Sequence, residues 1–280
     1  MKRLLSVLLL LSGPTIAYAQ EERVRWQRQD SRAESRLSLF HSTKSLNLPT
    51  AETMQKGVFL FEISHRFLPP LSEGPKGLWG LDGPAHIRFA LGYALTNSFM
   101  VTLARSNEAD NLDLELKYGG LTIDNDWLPL MLGLVGGASW NTDVAERNAG
   151  DHRNFQFYGQ FVANTVIDGR LGIGVVPSFV HNAVLEEVDA TQTFSMGFYA
   201  HYYVSDLLAL IFEWNVSEPL ESLPYNAVSF GIHLETGGHF FKIFLTNATS
   251  LNASQFLPGA SNAFAADELR LAFNIVRLLH

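Results

Sequence analysis

The chain has 280 residues, 47% of them hydrophobic, a net charge of −8 and no cysteine. Without cysteine there are no disulfide staples, thiolate metal sites or cysteine nucleophiles. Residues 57–280 hold eleven Lys/Arg against 23 Asp/Glu, while residues 20–56 hold seven against five, and so acidic a body argues against a nucleic-acid partner.

Residues 1–19 read as a cleavable signal peptide. Lys2 and Arg3 form the charged region, Leu4 to Leu11 most of the apolar one, and Ala17-Tyr18-Ala19 the small-residue cleavage site before Gln20. A spanning anchor needs ~20 apolar residues, and Pro14 interrupts this run. Beyond it no stretch of 18 apolar residues occurs, so any membrane crossing falls to strands. Residues 20–56 begin with the polar run EERVRWQRQDSRAESR. They are expected to form a polar N-terminal periplasmic leader, mobile in solution, or a plug tucked into the barrel. Within them LNLPTAETMQKG (46–57) reads as an ordered approach to the first strand.

Residues 57–280 are expected to form one outer-membrane β-barrel. Twelve strands are predicted near 57–67, 84–93, 98–106, 111–120, 128–139, 153–166, 170–181, 191–203, 207–214, 226–236, 239–246 and 267–277. The clearest is NLDLELKY (111–118), in which Leu112, Leu114, Leu116 and Tyr118 alternate with Asp113, Glu115 and Lys117. Only a strand sends successive side chains to opposite faces. A tilted membrane strand needs ~9–11 residues, whereas strands of soluble proteins average ~5–6. The fold class that follows is all-β: a transmembrane antiparallel up-and-down barrel of about 12 strands.

The connections agree. Links 94–97, 167–169, 204–206 and 237–238 are short and mostly carry Asp, Asn or Gly, as tight hairpins require, and 121–127 is somewhat longer. Links 68–83, 140–152, 182–190, 215–225 and 247–266 are long, with a short exception after the third strand. Barrels of this kind alternate short periplasmic turns with long outer loops, and an even strand count puts both termini in the periplasm. Tyr93, Trp127 and Tyr202 fall beside the short turns and Phe67, Trp140 and Trp214 beside the loops, as two interfacial girdles would.

Projected alternation places Phe59, Phe61, Ile63, Ile87, Phe89, Leu91, Val228, Phe230, Ile232, Phe241, Ile243, Leu245, Leu269, Leu271 and Phe273 toward lipid, with His65 near the outer interface beside Phe67. The opposite faces carry Glu62, Arg66, His86, Arg88, Asp113, Glu115, Lys117, His233, Glu235, Lys242 and Arg270, with Ser64 and His201 beside them; these are the candidate lumen-lining residues. An Arg or Lys facing mid-membrane lipid costs ~2–4 kcal/mol, so the charges must line the interior. Opposed acidic and basic rows would filter solutes or ions, or else pair into a closed interior network. Glycines at 133, 136, 137, 172, 174, 197 and 231 leave room inside or permit bending. Ten acidic residues, among them Glu108, Asp143 and Glu187, would give the outer mouth a negative cast. The uncharged segment NATSLNASQFLPGASNAFAA (247–266) is the candidate for a loop that folds inward and narrows the bore, or else forms a plain surface loop.

No catalytic residue is predicted. G-x-S-x-G, H-E-x-x-H and G-x-x-x-x-G-K-[ST] are absent, and Ser64 and His65 point to opposite faces. His201 and His233 fall on nonadjacent strands, so no metal site or cofactor is expected.

LNLPTAETMQKGVFLFEISHRF, GLWGLDGPAHIRFALGYALTNSFMVTLARS and LDLELKY resemble an uncharacterised family of outer-membrane β-barrels, a domain of unknown function seen mainly in Bacteroidetes-type bacteria. Leu48-Pro49-Thr50-Ala51-Glu52, Ser64-His65-Arg66-Phe67, Gly80-Leu81-Asp82-Gly83, Arg88, Lys117-Tyr118 and the closing LRLAFNIVRLLH carry the likeness over roughly 40–280. It implies a barrel in a Gram-negative outer membrane and no known activity. The chain ends Leu278-Leu279-His280 where many such barrels end on an aromatic residue, Phe273 being the nearest. The leading expectation is a porin-like channel for small solutes or ions. The alternative is a closed structural or docking barrel, and a lipid hydrolase is a remote third. Expected partners are outer-membrane lipid and lipopolysaccharide, the barrel-assembly machinery, and solutes.

Overall fold

The computed structural model describes residues 40–123, 129–187, 189–236 and 238–279. Residues 1–39, on which the expected signal peptide and the first part of the expected leader fall, lie outside the described residues, as does Trp127. Among those described, twelve strands form one closed barrel in which each pairs antiparallel with its sequence neighbours and β1 closes on β12. They are β1 Phe59–Phe67, β2 Ala85–Ala94, β3 Phe99–Ser106, β4 Asn111–Ile123, β5 Leu130–Asn141 and β6 Phe155–Ile167, then β7 Leu171–His181, β8 Gln192–Tyr203, β9 Leu208–Ser217, β10 Ala227–Thr236, β11 His239–Thr246 and β12 Arg270–Leu279.

The period-two alternation becomes the two faces of the wall. Phe61, Leu114 and Phe230 are 38%, 41% and 39% exposed on the outside, while Glu115 and Lys117 on the inside are 6% and 3% exposed. Closure leaves no strand edge, so each wall strand is paired on both sides, and the apolar side chains form a continuous outer band.

The turns at 95–98, 168–170 and 204–207 lie at the end of the barrel where β1 begins and β12 ends, with the long connections opposite. Asp168 and Gly169 both adopt positive φ, as a tight hairpin demands. Several strands outrun their expected bounds: β9 runs to Ser217 rather than 214, β5 to Asn141 rather than 139, and β4 to Ile123 rather than 120. A bulge between Tyr118 and Leu121, with Gly120 at φ 78°, shifts the register, and pairing resumes from Leu121 opposite Leu132 to Ile123 opposite Leu130. β12 begins at Arg270 rather than 267, because residues 267–269 complete the preceding loop.

The outer band fixes a stability test. In lipid vesicles Leu114→Arg should lower unfolding stability by about 2–4 kcal/mol. Glu146→Arg, in the loop before β6, should leave it unchanged, both read by urea titration of the heat-modifiable band.

Candidate functional site

The interior starts at the seam. β1 lies between β12 and β2 in a register that sets Ser64 opposite Asn274 on one side and Arg88 on the other. Period two then turns Glu62, Ser64, Arg66 and Arg88 inward, and all four are buried. Arg88 donates through one terminal nitrogen to Glu62 Oε1 at 2.7 Å and through Nε to Asn252 Oδ1 at 2.6 Å. Arg66 donates to Asn274 Oδ1 at 2.8 Å and to Asn47 Oδ1 at 2.7 Å, with its guanidinium carbon 4.7 Å from the Phe244 ring centre. On β4, Asp113 accepts from Ser139 Oγ at 2.5 Å and from the Tyr158 hydroxyl at 3.1 Å, and that hydroxyl lies 3.5 Å from Glu115.

The remaining wall charges meet the chain's own N-terminal segment. Residues 40–56 enter the barrel and fold back as a hairpin, with Lys44 bridged antiparallel to Pro49 and the Thr50 N–H donating to Thr43 O at 3.1 Å. Glu213 accepts the N–H groups of Leu46, Asn47 and Leu48, each at 3.0 Å, and the Asn47 side-chain amide at 2.8 Å. Lys242 donates to Ser42 Oγ, Lys44 O and Ser45 O at 2.8, 2.7 and 2.6 Å. Lys117 donates to Thr43 O at 2.7 Å, Asn274 to Leu46 O at 2.7 Å, and Asn164 Oδ1 accepts the Ala51 N–H at 2.7 Å. The His201 ring lies 2.9 Å from Ser45 Oγ.

Space for the hairpin comes from glycines on the wall. A Cβ on Gly197 would strike Leu48, one on Gly172 would strike the Phe40 ring, and one on Gly119 would strike the Ala51 carbonyl. Both limbs lie at the short-turn end. The Gly57 N–H donates to Ala94 O at 2.9 Å, while His41 stacks on Tyr203 at 4.7 Å and places Nδ1 2.6 Å from Glu235.

The opposite end is filled by the uncharged connection after β11. It turns inward through a one-turn helix, α1 (Ala253–Phe256), and Asn252, Ser254, Phe256 and Leu257 are buried. The Asn252 amide donates to Asn111 Oδ1 at 2.5 Å and to Ser106 Oγ at 3.2 Å, and Ser254 bonds Ser139 at 2.8 Å. Ser250 donates to Glu108 at 2.8 Å, and burial beneath this loop raises the Glu108 carboxyl above the usual range against the opposing pull of His86. Phe40 and Leu48 of the hairpin share one apolar cluster with Phe256 and Leu257 of the loop and with Val162, Val176 and Val180 of the wall. A cavity between hairpin and wall, lined by Met54, Leu60 and Phe240 among others, measures about 10 Å³, about the room one water needs.

Ten of the eleven residues expected in the lumen fall into three groups. Glu62, Arg66, Arg88, Asp113, Glu115, Lys117, His233 and Lys242 are buried inside the wall. Glu235 faces inward at the short-turn end beside His41. His86 lies under the inward loop, its ring nitrogen 3.0 Å from Thr249 O. Arg270, the first residue of β12 and opposite the buried Thr246, shares the inward parity of Ala272 and Asn274 and bonds the backbone carbonyls of Leu68 and Glu268 at the rim. His65 stacks on Phe273 at 4.5 Å on the outer face. Glu213, the most heavily used carboxylate of the site, was not expected, although Phe212 and Trp214 flank it in the same alternation that marks its neighbours. Among the described residues no group of histidines and carboxylates is arranged to hold a metal.

The family model described as "Membrane bound beta barrel domain (DUF5777)" matches residues 40–279, a span that takes in the hairpin. No curated protein matches the chain. The NanC porin is 7% identical with a TM-score of 0.48, over 80% of this chain and 100% of that one. Omp33 of Acinetobacter baumannii is 9% identical with a TM-score of 0.42, over 80% and 99%. LpxR from Salmonella typhimurium is 8% identical with a TM-score of 0.36, over 79% and 99%. Identities this low concern the fold alone.

Removing the carboxylate that holds the hairpin tip should free it. Glu213→Ala leaves three N–H donors without their acceptor, at about 1–3 kcal/mol for each one kept buried. Trypsin should then cut after Lys44 in the folded barrel at a rate well above that of the unaltered protein, with the barrel itself intact by mass spectrometry.

Proposed function

We propose, for a chain that belongs to the membrane-bound beta barrel family DUF5777, that it is an outer-membrane pore for small solutes or ions, shut at rest by two of its own segments. The hairpin 40–56 closes the short-turn end and the loop 247–266 the opposite one. The observation that carries this reading is where the wall charges find partners. Lys117, Lys242 and Glu213 bond the main chain of the segment that precedes the wall rather than one another. A permanently solid interior is more cheaply built from apolar side chains, since replacing buried ions by packed hydrophobes is often neutral or stabilising. Polar wall groups that exchange a peptide segment for water suit a lumen that is sometimes wet.

In this reading the short turns face the periplasm of a Gram-negative cell, the apolar band meets lipid and lipopolysaccharide, and insertion falls to the barrel-assembly machinery. No catalytic step is part of it. The filled interior also supports a second reading, a closed barrel that docks a partner and passes nothing.

Planar bilayers separate the two. Conductance should rise from the full chain to a hairpin deletion, and again when 248–260 is also replaced by a short Gly/Ser linker. A folded double variant that stays silent would overturn the pore. In the full chain, a Cβ on Gly133 would sit 3.4 Å from Ala51 Cβ, close to the ~3.5–4.5 Å of a disulfide. Oxidised Ala51→Cys/Gly133→Cys should therefore be silent, and reduction should restore the openings of the unaltered protein.

A further inference from the structure

We propose that the wall groups holding the hairpin form a peptide-binding site, and that short peptides are the solute class this lumen takes when the hairpin withdraws. The inference rests on the gated-pore reading. What the wall reads in the hairpin is chiefly its main chain. Glu213 accepts three consecutive N–H groups, and Asn164 accepts a fourth, from Ala51. Lys117, Lys242 and Asn274 donate to the carbonyls of Thr43, Lys44, Ser45 and Leu46. These partners are common to every polypeptide.

The polarity of the site is also sorted. A carboxylate can only accept and an ammonium can only donate, so Glu213 demands donors at one place while Lys117 and Lys242 demand acceptors at others. A main chain presents N–H and C=O groups separately, at fixed spacing. Sugar hydroxyls, which donate and accept at the same atom, gain nothing from that sorting. Side chains have seats as well. Leu48 lies over Gly197 and Phe40 over Gly172, where a Cβ would collide with them.

A second observation extends the site beyond the hairpin tip. Asn215 and Ser217 continue the inward face of β9 past Glu213, and the register pairs Ser217 with Ser195 on β8. Asn215 Oδ1, Ser217 Oγ, Ser195 Oγ and Thr193 Oγ1 are buried atoms without a hydrogen-bond partner among the described residues. They form a polar stripe running from Glu213 toward the long-loop end; the inward loop lies against it, with Asn215 donating to Leu257 O at 2.9 Å, so it takes further amide groups of a longer peptide only once that loop also moves.

The absence of cysteine gives a direct test in the full chain. Ser45→Cys places one thiol at the buried hairpin tip, to be labelled by a maleimide when the hairpin is out. A ligand that binds only the hairpin-out state raises that population by about tenfold at ten times its dissociation constant. Acetyl-trialanine amide should accelerate labelling on this scale, and raffinose, a neutral trisaccharide, should not. Adding Glu213→Gln should raise the rate without peptide and shrink the acceleration peptide gives. Equal acceleration by peptide and sugar, or none by either while labelling itself proceeds, would overturn the peptide site and leave the pore standing. A thiol never labelled under any condition, together with a silent double-deletion barrel, would overturn both.

Discussion

The constraint behind every other feature is that backbone N–H and C=O groups cannot be left unpaired in hydrocarbon. Strands meet it only if the sheet has no edge, and here that depends on β1 pairing with β12 from Phe59 opposite Leu279 to Arg66 opposite Ala272. Once the seam is made, the two faces of each strand have different solvents. Phe89, Leu103 and Phe212 are left outside, and Arg88, Thr102 and Glu213 are carried inside whether or not water is there to receive them.

Closure thus creates a second problem in a narrow cylinder, since buried ionised groups need partners. The chain solves it in part with an ion pair, Arg88 with Glu62, and in part with polar side chains such as Ser139 and Tyr158 against Asp113. Lys117, Lys242 and Glu213 are met instead by main-chain groups brought in from outside the wall. A hairpin whose amides and carbonyls are exposed at its tip is itself a polar object that needs partners. Wall and hairpin each satisfy what the other lacks, which is why Gly119 and Gly197 carry no side chain where it passes.

The wall was legible in the sequence because strand periodicity is local. Leu112 and Leu114 against Asp113 and Glu115 reveal their faces within eight residues, and the loops sort by length without reference to anything distant. The inward turn of 247–266 was also foreshadowed, since a long segment without any charge has little reason to stay in water. The hairpin was only half visible: LNLPTAETMQKG reads as ordered, but nothing local links Leu46 to Glu213. Those partners are 167 positions apart, and pairing at that distance is decided by the closed geometry. Arg270 shares the inward parity, but its partners at the rim, the carbonyls of Leu68 and Glu268, lie in loops whose course no local period reveals.

The position of the hairpin in the chain has a consequence for assembly. It precedes every strand, yet several of its anchors lie far along the chain: Glu213 on β9, Lys242 on β11 and Asn274 on β12, besides Lys117 on β4 and Asn164 on β6. Contacts of such long sequence separation form late and slowly, because the intervening chain must be ordered first. Since both limbs leave by the same end, beside Ala94 and beside Tyr203, the finished cylinder can receive the hairpin without passing a chain terminus through its bore. A segment made before every strand thus takes its place only after the last of them, and for it order of synthesis and order of folding run in opposite directions.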